Sequence, residues 1–588
     1  MSKIVEELNE LAISKQYEQG DIRNSFRRND SLLRRKLYSY LPYLFLTNLS
    51  SLLLVSVDGL VVGNLVGSSA LSSVNVFSPV ITAIGVFSGL IAMGISTMIS
   101  TAMGNNEIDE LSYLKKAART TMIVSAFAIG VIQIPIAYAL LSTYNLSPEF
   151  KHQVWQYGLG VMISMPFGLI STVGVYEMQI LGKAKVLAVL AGVEGGLNLI
   201  FDLIFVGAFH MGVAGAGFGT AAANVVRCTI TVLYLAKKTD IYKCGDAKLR
   251  LKDVKLLITS GISESSYSLM MAVQSYFMIR ILLFVFGESA GVINEVCVFC
   301  LSLVDVIILS VTGSARPLAG IFTGANDVPA VRMLIRQCVL LLSVLGGLVT
   351  LAVFSMTEFF FTIHGVTEIP EHGIMSLRLF TLCFIFRGID AIFRLYFANQ
   401  KDNTYSTTAT VLGYAALPVL AFIIPFFLPQ PFLWTAYLIT EFAVLIANLC
   451  RYVYWIKKNK EPGISDDQTI YLSVTPEDAI EASREVREYA KEHGYSEKLA
   501  YRAALCMEEM VHYAKAVAGT KEVDIQIILK FFADSCVFAM IDDGECIMLN
   551  EDDASRELIT NYGLIRKIAR NVSYQYVLDM NYTVFTFQ

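Results

Sequence analysis

Long apolar runs constrain this chain more than any other feature. Between residues 37 and 456, hydrophobic residues come in stretches of about 20 or more, the length a helix needs to cross ~30 Å of hydrocarbon. Lipid offers no partner for backbone N–H and C=O groups, so the crossings must be helices, and their length excludes barrel strands. The runs predict an all-α polytopic membrane protein with twelve transmembrane helices, over 39–66, 71–103, 118–143, 155–182, 186–207, 212–236, 254–287, 291–322, 332–363, 372–399, 404–428 and 431–457.

The charged residues divide the chain into two bodies. Only 16% of the 588 residues are charged, yet the last 128 residues hold 23 acidic and 12 basic side chains. That segment has a net charge of −11 and the remainder +6, which together give the total of −5. One soluble globule, a fibre and a disordered chain are therefore excluded, and we expect a membrane body followed by a soluble domain.

Lysine and arginine in the short loops set the expected orientation. They cluster in the amino-terminal arm and in alternate loops, at Arg34, Arg35, Lys36, Lys115, Lys116, Lys183, Lys185, Lys237, Lys238, Lys457 and Lys458. Because basic loops stay on the cytoplasmic side, we expect both termini in the cytoplasm of a bacterial cell, with the chain crossing the inner or plasma membrane many times.

The two halves of the membrane body have similar turn residues after corresponding predicted spans. Met103-Gly104-Asn105-Asn106 after the second predicted span matches Thr323-Gly324-Ala325-Asn326 after the eighth, and Gly182-Lys183 after the fourth matches Gln400-Lys401 after the tenth. The common offset of roughly 220 residues indicates two six-helix repeats, as in some transporters. Chance recurrence of turn residues is the alternative.

These boundaries divide the chain into six segments. They are a cytoplasmic arm (1–36), an N-lobe (37–236), a linker (237–253), a C-lobe (254–457), a second linker (458–466) and a C-terminal domain (467–588).

Polar residues that remain inside the apolar runs are the candidates for a functional site, because burying charge in a bilayer costs at least ~2.5 kcal/mol. The first span contains Asp58. The fifth contains Glu194, Asn198 and Asp202 at i, i+4 and i+8, which places them on one helix face. With Thr220 of the sixth span they supply oxygen donors suited to Na⁺, or carboxylates that can hold H⁺. A hydrogen-bond network without an ion is the alternative.

The N-lobe also resembles a known family. The run from Val57 to Gly67, Gly94-Ile95-Ser96, Leu197 to Asp202, and Gly212 to Gly217 are similar to the multidrug and toxic compound extrusion (MATE) transporters. The resemblance implies a Na⁺- or H⁺-coupled antiporter that exports small organic, cationic or amphipathic compounds. It also implies an N-lobe cation site at Asp58, Asn198, Asp202 and Thr220; Glu194 is added by helical spacing alone.

A second acid of interest lies in the C-lobe. Asp390 resembles a cation-binding acid that some MATE proteins carry in their tenth helix. Arg387 and Arg394 flank it at i−3 and i+4, close enough to pair with it. The two interpretations are therefore a coupling site and a salt-bridged structural acid.

The C-terminal segment predicts an α/β sandwich: strands at 470–474, 523–531, 535–541 and twice within 573–588, with helices near 476–492, 496–517 and 555–571. It resembles the GHKL ATPases, particularly the small anti-sigma-factor kinases, at Glu508-Glu509, Asp542-Asp543-Gly544 and Gly563. Tyr513 stands where that family places a magnesium-binding Asn, with His512 beside it. We therefore expect a degenerate domain that either regulates the membrane body or binds a cytoplasmic protein, without kinase or ATPase activity and with no required cofactor. A weak nucleotide sensor is the alternative.

Two alternatives to an exporter remain at this point: a flippase for lipid-linked substrates, and a membrane receptor that signals through the C-terminal domain. In each case the partners are the lipid bilayer and a small molecule, and no nucleic acid is expected.

Overall fold

The structure is a computed structural model of the chain. It describes residues 31–66, 68–105, 108–142, 147–238, 251–286, 290–363, 368–400, 402–458, 469–518, 522–546, 563 and 565–588. Most of the helix predicted near 555–571 lies outside these residues.

The N-lobe contains six helices whose order follows the first six predicted spans. They are α1 (Ser31–Leu65), α2 (Ser68–Asn105), α3 (Ile108–Ser142), α4 (Pro148–Ile180), α5 (Ala184–Asp202) and α6 (Gly212–Lys238). Helix α1 begins at Ser31, so the last residues of the predicted arm are helical. Helix α5 continues into a π-helical turn at Leu203–Ala208. Such turns are rare and occur often at functional sites.

The C-lobe contains α7 (Leu251–Phe286), α8 (Ala290–Gly324), α9 (Val328–Ser355), α10 (Thr357–Ile363), α11 (Gly373–Thr381), α12 (Phe384–Asn399), α13 (Asn403–Ile423) and α14 (Thr435–Lys458). The span predicted at 372–399 is broken between α11 and α12. Thr350 of α9 donates a hydrogen bond to the Thr381 carbonyl (3.3 Å). A neighbouring side chain thus satisfies a carbonyl at the break, which is the condition for irregular backbone in a membrane.

Ten of the described helical segments are long and apolar enough to cross a membrane. They correspond to predicted spans 2 to 9, 11 and 12. Helix α1 and the broken pair α11–α12 occupy the positions of spans 1 and 10, so twelve crossings remains a prediction. The repeated turn residues fall at equivalent places, since Asn105 and Gly324 end α2 and α8, and Asn399 ends α12.

The two lobes meet through close helix packing. A Cβ atom added at Gly261 of α7 would lie 2.1 Å from the Leu90 carbonyl oxygen of α2, and one at Gly320 of α8 would lie 2.1 Å from Ser100 Oγ, also of α2. Asn48 of α1 donates a hydrogen bond to Ser310 of α8 (3.1 Å). Small residues allow backbones in membrane helices to approach this closely.

The C-terminal domain has one five-stranded sheet, in the order β1-β2-β3-β5-β4, with every neighbouring pair antiparallel. The described strands are β1 (Thr469–Val474), β2 (Ile525–Phe531), β3 (Cys536–Asp542), β4 (Asn571–Val577) and β5 (Met580–Phe587). The described helices include α15 (Ala479–Glu492) and α16 (Glu497–Ala518), and residues 565–568 are also helical. The described elements follow the order predicted from sequence, and one face of the sheet packs on the two helices.

Candidate functional site

The polar face of α5 is buried in the N-lobe. Glu194, Asn198 and Asp202 all lie among the buried residues of this helix, as their four-residue spacing predicts. The Asn198 Nδ2 group donates a hydrogen bond to Asp202 Oδ2 (3.4 Å), and Asp202 has no exposed surface. Burying a carboxylate without compensation is costly, so these two residues define the centre of the candidate site.

Helix α6 supplies the opposite wall of this site. A Cβ atom added at Gly219 would lie 2.1 Å from Asp202 Oδ1, so only glycine lets α6 approach the carboxylate this closely. Thr220 follows directly and donates its hydroxyl hydrogen to the Ala216 carbonyl (3.1 Å). The structure thus brings Asn198, Asp202 and the segment containing Thr220 together, at the point where α5 changes to a π-helical turn.

Glu194 belongs to a different interaction. Its carboxylate forms an ion pair with Arg227 Nη1 of α6 (2.7 Å), and both side chains are mostly buried. The guanidinium neutralises Glu194, which is therefore not free to bind a cation in this arrangement. Sequence reasoning did not assign this partner, although Thr220, Asn224 and Arg227 form a polar stripe at i, i+4 and i+7 that could have indicated it.

Asp58 lies within α1, which packs on α5 and α6, but its side chain is outside the described part of the structure. Its place beside Asp202 therefore remains a prediction from the resemblance.

The C-lobe contains a second buried polar cluster around Arg387 of α12. Its guanidinium binds both oxygens of Asp305 in α8 (3.0 and 3.2 Å) and contacts Glu441 in α14 (3.5 Å). Tyr414 donates a hydrogen bond to the same Glu441 (3.1 Å). Arg387 is only 1% exposed, and bidentate contacts of this kind suit the planar guanidinium.

The contacts of Arg387 given above go to Asp305 and Glu441 on other helices, and a salt bridge from Arg387 to Asp390 stays a prediction. Asp390 accepts a hydrogen bond from Asn448 Nδ2 (2.9 Å) and has Arg394 and Glu441 as charged neighbours. Arg387 lies one turn away on the same helix, but its long side chain reaches α8 and α14, where Asp305 offers two oxygens in fork geometry.

The two arginines of this cluster do not balance the negative charge of its three acids. Asp305, Asp390 and Glu441 face Arg387 and Arg394, so full ionisation would leave one net negative charge in a mostly buried place. Uncompensated buried charge is strongly unfavourable. The cluster is therefore chemically able to hold one proton or one cation.

Several positions at which the resemblance would place a nucleotide site in the C-terminal domain make contacts within the protein. Tyr513 is buried in the domain core, and Glu508 accepts a hydrogen bond from Ser483 (3.3 Å). Glu509 is half-buried on the same helix, while His512 is exposed. A buried phenol cannot replace the amide oxygen that would bind Mg²⁺.

The Asp542 carboxylate also makes its hydrogen bonds within the protein. Its Oδ1 accepts hydrogen bonds from the Gly544 amide (2.9 Å) and from Asn581 Nδ2 (2.7 Å), and burial raises the pKa of this carboxyl to about 6. Gly563 is the only described residue between 547 and 564, so the predicted phosphate loop lies outside the described residues.

The described helices and their buried acids define a class: a polytopic helical protein with two lobes and a buried polar cluster in each. Comparison with known proteins shows which families the chain is similar to. The MatE family model matches residues 44–204. The multidrug export protein MepA of Staphylococcus haemolyticus is 22% identical over 370 residues, 61% of this chain and 80% of that protein. MepA of Staphylococcus aureus strain MRSA252 is 20% identical over 404 residues, 67% and 87% of the two chains.

Solved structures show the same fold. A multidrug resistance MATE transporter in an outward-facing conformation superposes with a TM-score of 0.66 at 17% identity, covering 74% of this chain and 100% of the other. A transporter of the MOP superfamily from Pyrococcus furiosus gives 0.65 at 17% identity, with 72% and 96% covered. The chain is thus similar to the MatE family model over part of its membrane body, to multidrug export proteins in sequence, and to solved MATE transporters in fold.

Proposed function

We propose that this protein is a MATE-type exporter of small organic compounds, driven by inward movement of Na⁺ or H⁺. The single observation that carries the proposal is the environment of Asp202. Its carboxylate is fully buried, accepts a hydrogen bond from Asn198 and lies close to Gly219. The similarity to MepA, a multidrug export protein, supports the substrate class. Flippase and receptor functions are not favoured by any of these relatives.

Cation or proton binding at Asp202 would act through helix packing. With the site empty, a buried ionised carboxylate is unfavourable. A bound Na⁺ or H⁺ removes that penalty and draws oxygens of Asn198, Asp202 and Thr220 together. Because α5 and α6 both contribute, their relative position then depends on occupancy. Differential stabilisation of two arrangements is the requirement for coupled alternating access.

We expect exported substrates to be organic, amphipathic and often cationic. Aromatic faces attract cations, and the membrane body has exposed aromatic side chains on several helices. The C-lobe cluster could bind the coupling proton in addition to, or instead of, Asp202.

The test is substrate efflux from proteoliposomes under an imposed Na⁺ gradient or an imposed pH gradient. Asp202→Asn should abolish gradient-driven efflux, whereas Glu149→Gln, which changes an exposed acid at the start of α4, should leave it intact. Asp58→Asn tests the remaining predicted ligand in the same assay.

Separate gradients identify the ion, since only the coupled one should drive efflux. Normal efflux by Asp202→Asn together with loss of efflux in Asp390→Asn would move the coupling site to the C-lobe. Normal efflux in both variants would refute the proposed coupling mechanism.

A further inference from the structure

The hairpin between β4 and β5 packs directly on the N-lobe. Tyr40 of α1 donates a hydrogen bond to the Leu578 carbonyl (2.7 Å), and Lys36 donates one to the Asp579 carbonyl (2.6 Å). Lys183, in the α4–α5 loop, pairs with the Asp579 carboxylate (3.2 Å). Leu578 is at the tip of the hairpin yet has no exposed surface. We call these interactions the N-lobe contact.

Gly182 shows how closely the hairpin approaches. A Cβ atom added there would lie 3.0 Å from the Leu578 Cα atom and 2.8 Å from the Tyr40 hydroxyl. Arg35, one turn before Tyr40 along α1, adds ion pairs to Asp543 (2.8 Å) and Asp524 at the ends of β3 and β2. The domain is therefore fixed to the N-lobe by charge as well as by shape.

The opposite edge of the same sheet contacts the C-lobe. Tyr471 of β1 donates a hydrogen bond to the Asn326 carbonyl (3.1 Å), and Lys530 of β2 donates one to the Ala325 carbonyl (3.3 Å). Both acceptors lie in the α8–α9 loop, where Asn326 adopts a left-handed conformation (φ 55°). Burial lowers the pKa of Lys530, in keeping with an enclosed contact. We call this pair the C-lobe contact.

The sheet itself is built for this position. Alternate residues of its strands face away from α15 and α16. This face includes the polar side chains Gln526 and Lys530. It also has six apolar or aromatic side chains that are buried with the membrane body: Tyr471, Ile528, Ala539, Ile541, Met580 and Tyr582. A sheet that is covered on one face only has polar residues on the other. This sheet is covered on both, so the membrane body is a component of its packing.

The side that the domain covers is also where the lobes are closed. Ser100 and Gly320, which meet between the lobes, lie within six residues of the ends of α2 and α8, and α8 leads directly into the C-lobe contact. Opening this side by rocking the lobes apart would separate the α4–α5 loop from the α8–α9 loop. One continuous five-stranded sheet contacts both loops, and as a single unit it cannot move with both of them when they separate.

We propose that the C-terminal domain is a clamp that holds the domain-facing side of the transporter closed, so that this side opens only after the N-lobe or the C-lobe contact is released. The interaction surface is the second face of the sheet, and its partner is the membrane body of the same chain. The basic loops predict that both termini are cytoplasmic, and in that orientation the clamped state is the outward-facing one.

The hairpin allows the N-lobe contact to be weakened without damage to the domain. Leu578 and Asp579 both have positive φ angles (56° and 53°), the conformation in which Asn-Gly is preferred and Leu is unfavourable. The double variant Leu578→Asn/Asp579→Gly therefore improves the local turn while it removes the apolar tip and the carboxylate of the N-lobe contact.

The reporter is a Ser100→Cys thiol in nanodisc-embedded, full-length protein in which Cys244, Cys450 and Cys546 are serine. Ser100 is 1% exposed in the closed arrangement, so its maleimide labelling rate reports opening of this side. The hairpin variant should raise the rate about tenfold, the factor that corresponds to ~1.4 kcal/mol. Tyr471→Phe/Lys530→Ala, at the other contact, should raise it roughly fivefold, since two hydrogen bonds are lost.

Tyr501→Gln is the control, because it removes an exposed aromatic from α16, on the opposite layer of the same domain. Unchanged labelling in both contact variants would overturn the clamp. An equal rise in the control would also overturn it, since loss of domain stability rather than undocking would then be the cause. Labelling needs no ion gradient, so its outcome is independent of the proposed coupling site.

Discussion

Replacing Asp542 by Asn should remove a defined pH dependence from the stability of the C-terminal domain. Its carboxyl is fully buried, and desolvation raises its pKa from 3.8 to about 6 in spite of the hydrogen bonds from Asn581 and Gly544. Each unit of pKa corresponds to about 1.4 kcal/mol. The ionised form is therefore disfavoured in the folded state by about 3 kcal/mol.

The sign follows from linkage. A carboxyl with a raised folded-state pKa contributes stability that is fully present below the unfolded pKa, near 4, and is lost as pH rises through about 6. Of the ~3 kcal/mol, roughly 1.3 kcal/mol is lost between pH 5 and pH 7. Asparagine retains an oxygen that accepts the two hydrogen bonds but has no charge to bury, so it should remove this part of the pH dependence.

The assay is amide hydrogen exchange of β3 and β5 in the full-length protein, corrected for intrinsic exchange rates, at pH 5, 6 and 7. Asp534→Asn changes an exposed acid of the same domain and serves as the matched control. If the opening free energies of wild type and Asp542→Asn run parallel between pH 5 and 7, the argument from burial is refuted.

Three further substitutions test the buried contacts. Arg227→Met should lower stability by about 3 kcal/mol because it leaves Glu194 buried without its cation; thermal unfolding in detergent measures this, and adding Glu194→Gln should recover most of it. Arg387→Met should lower the unfolding temperature further still, since two acids lose one shared partner. Gly261→Val places side-chain atoms at the Leu90 carbonyl, so the lobes should separate and the Ser100→Cys reporter should label faster; unchanged labelling would contradict the packing.

How far the fold follows from sequence depends on the range of the forces involved. Apolar runs long enough to cross a membrane predict where the helices lie. The reason is that each segment in lipid must satisfy its own backbone N–H and C=O groups by forming a helix. The exceptions are informative. The break between Thr381 and Phe384 has no proline or glycine to announce it, and a hydrogen bond from Thr350, 31 residues away, satisfies the carbonyl there.

In the candidate site, too, some features follow from the sequence and others from helix packing. That Glu194, Asn198 and Asp202 share a face is a consequence of helical period alone, and the structure buries all three. That Glu194 pairs with Arg227 depends on how α5 packs on α6. Arg387 likewise has possible partners on its own helix, but binds acids 82 and 54 residues away.

The sequence by itself determined the division into a low-charge membrane body and a charged C-terminal domain, the helical spans, and the polar face of α5, because each of these is a pattern of neighbours along one element. Only the tertiary structure decided which acids are neutralised by arginine, and that the sheet of the C-terminal domain touches both lobes. Those contacts join elements that lie far apart in the chain. A strand in which apolar residues alternate with polar ones can bury its apolar face against helices, a membrane body or another protein. The physical reason is that hydrophobic burial is non-directional, so the pattern specifies which face is covered but not what covers it.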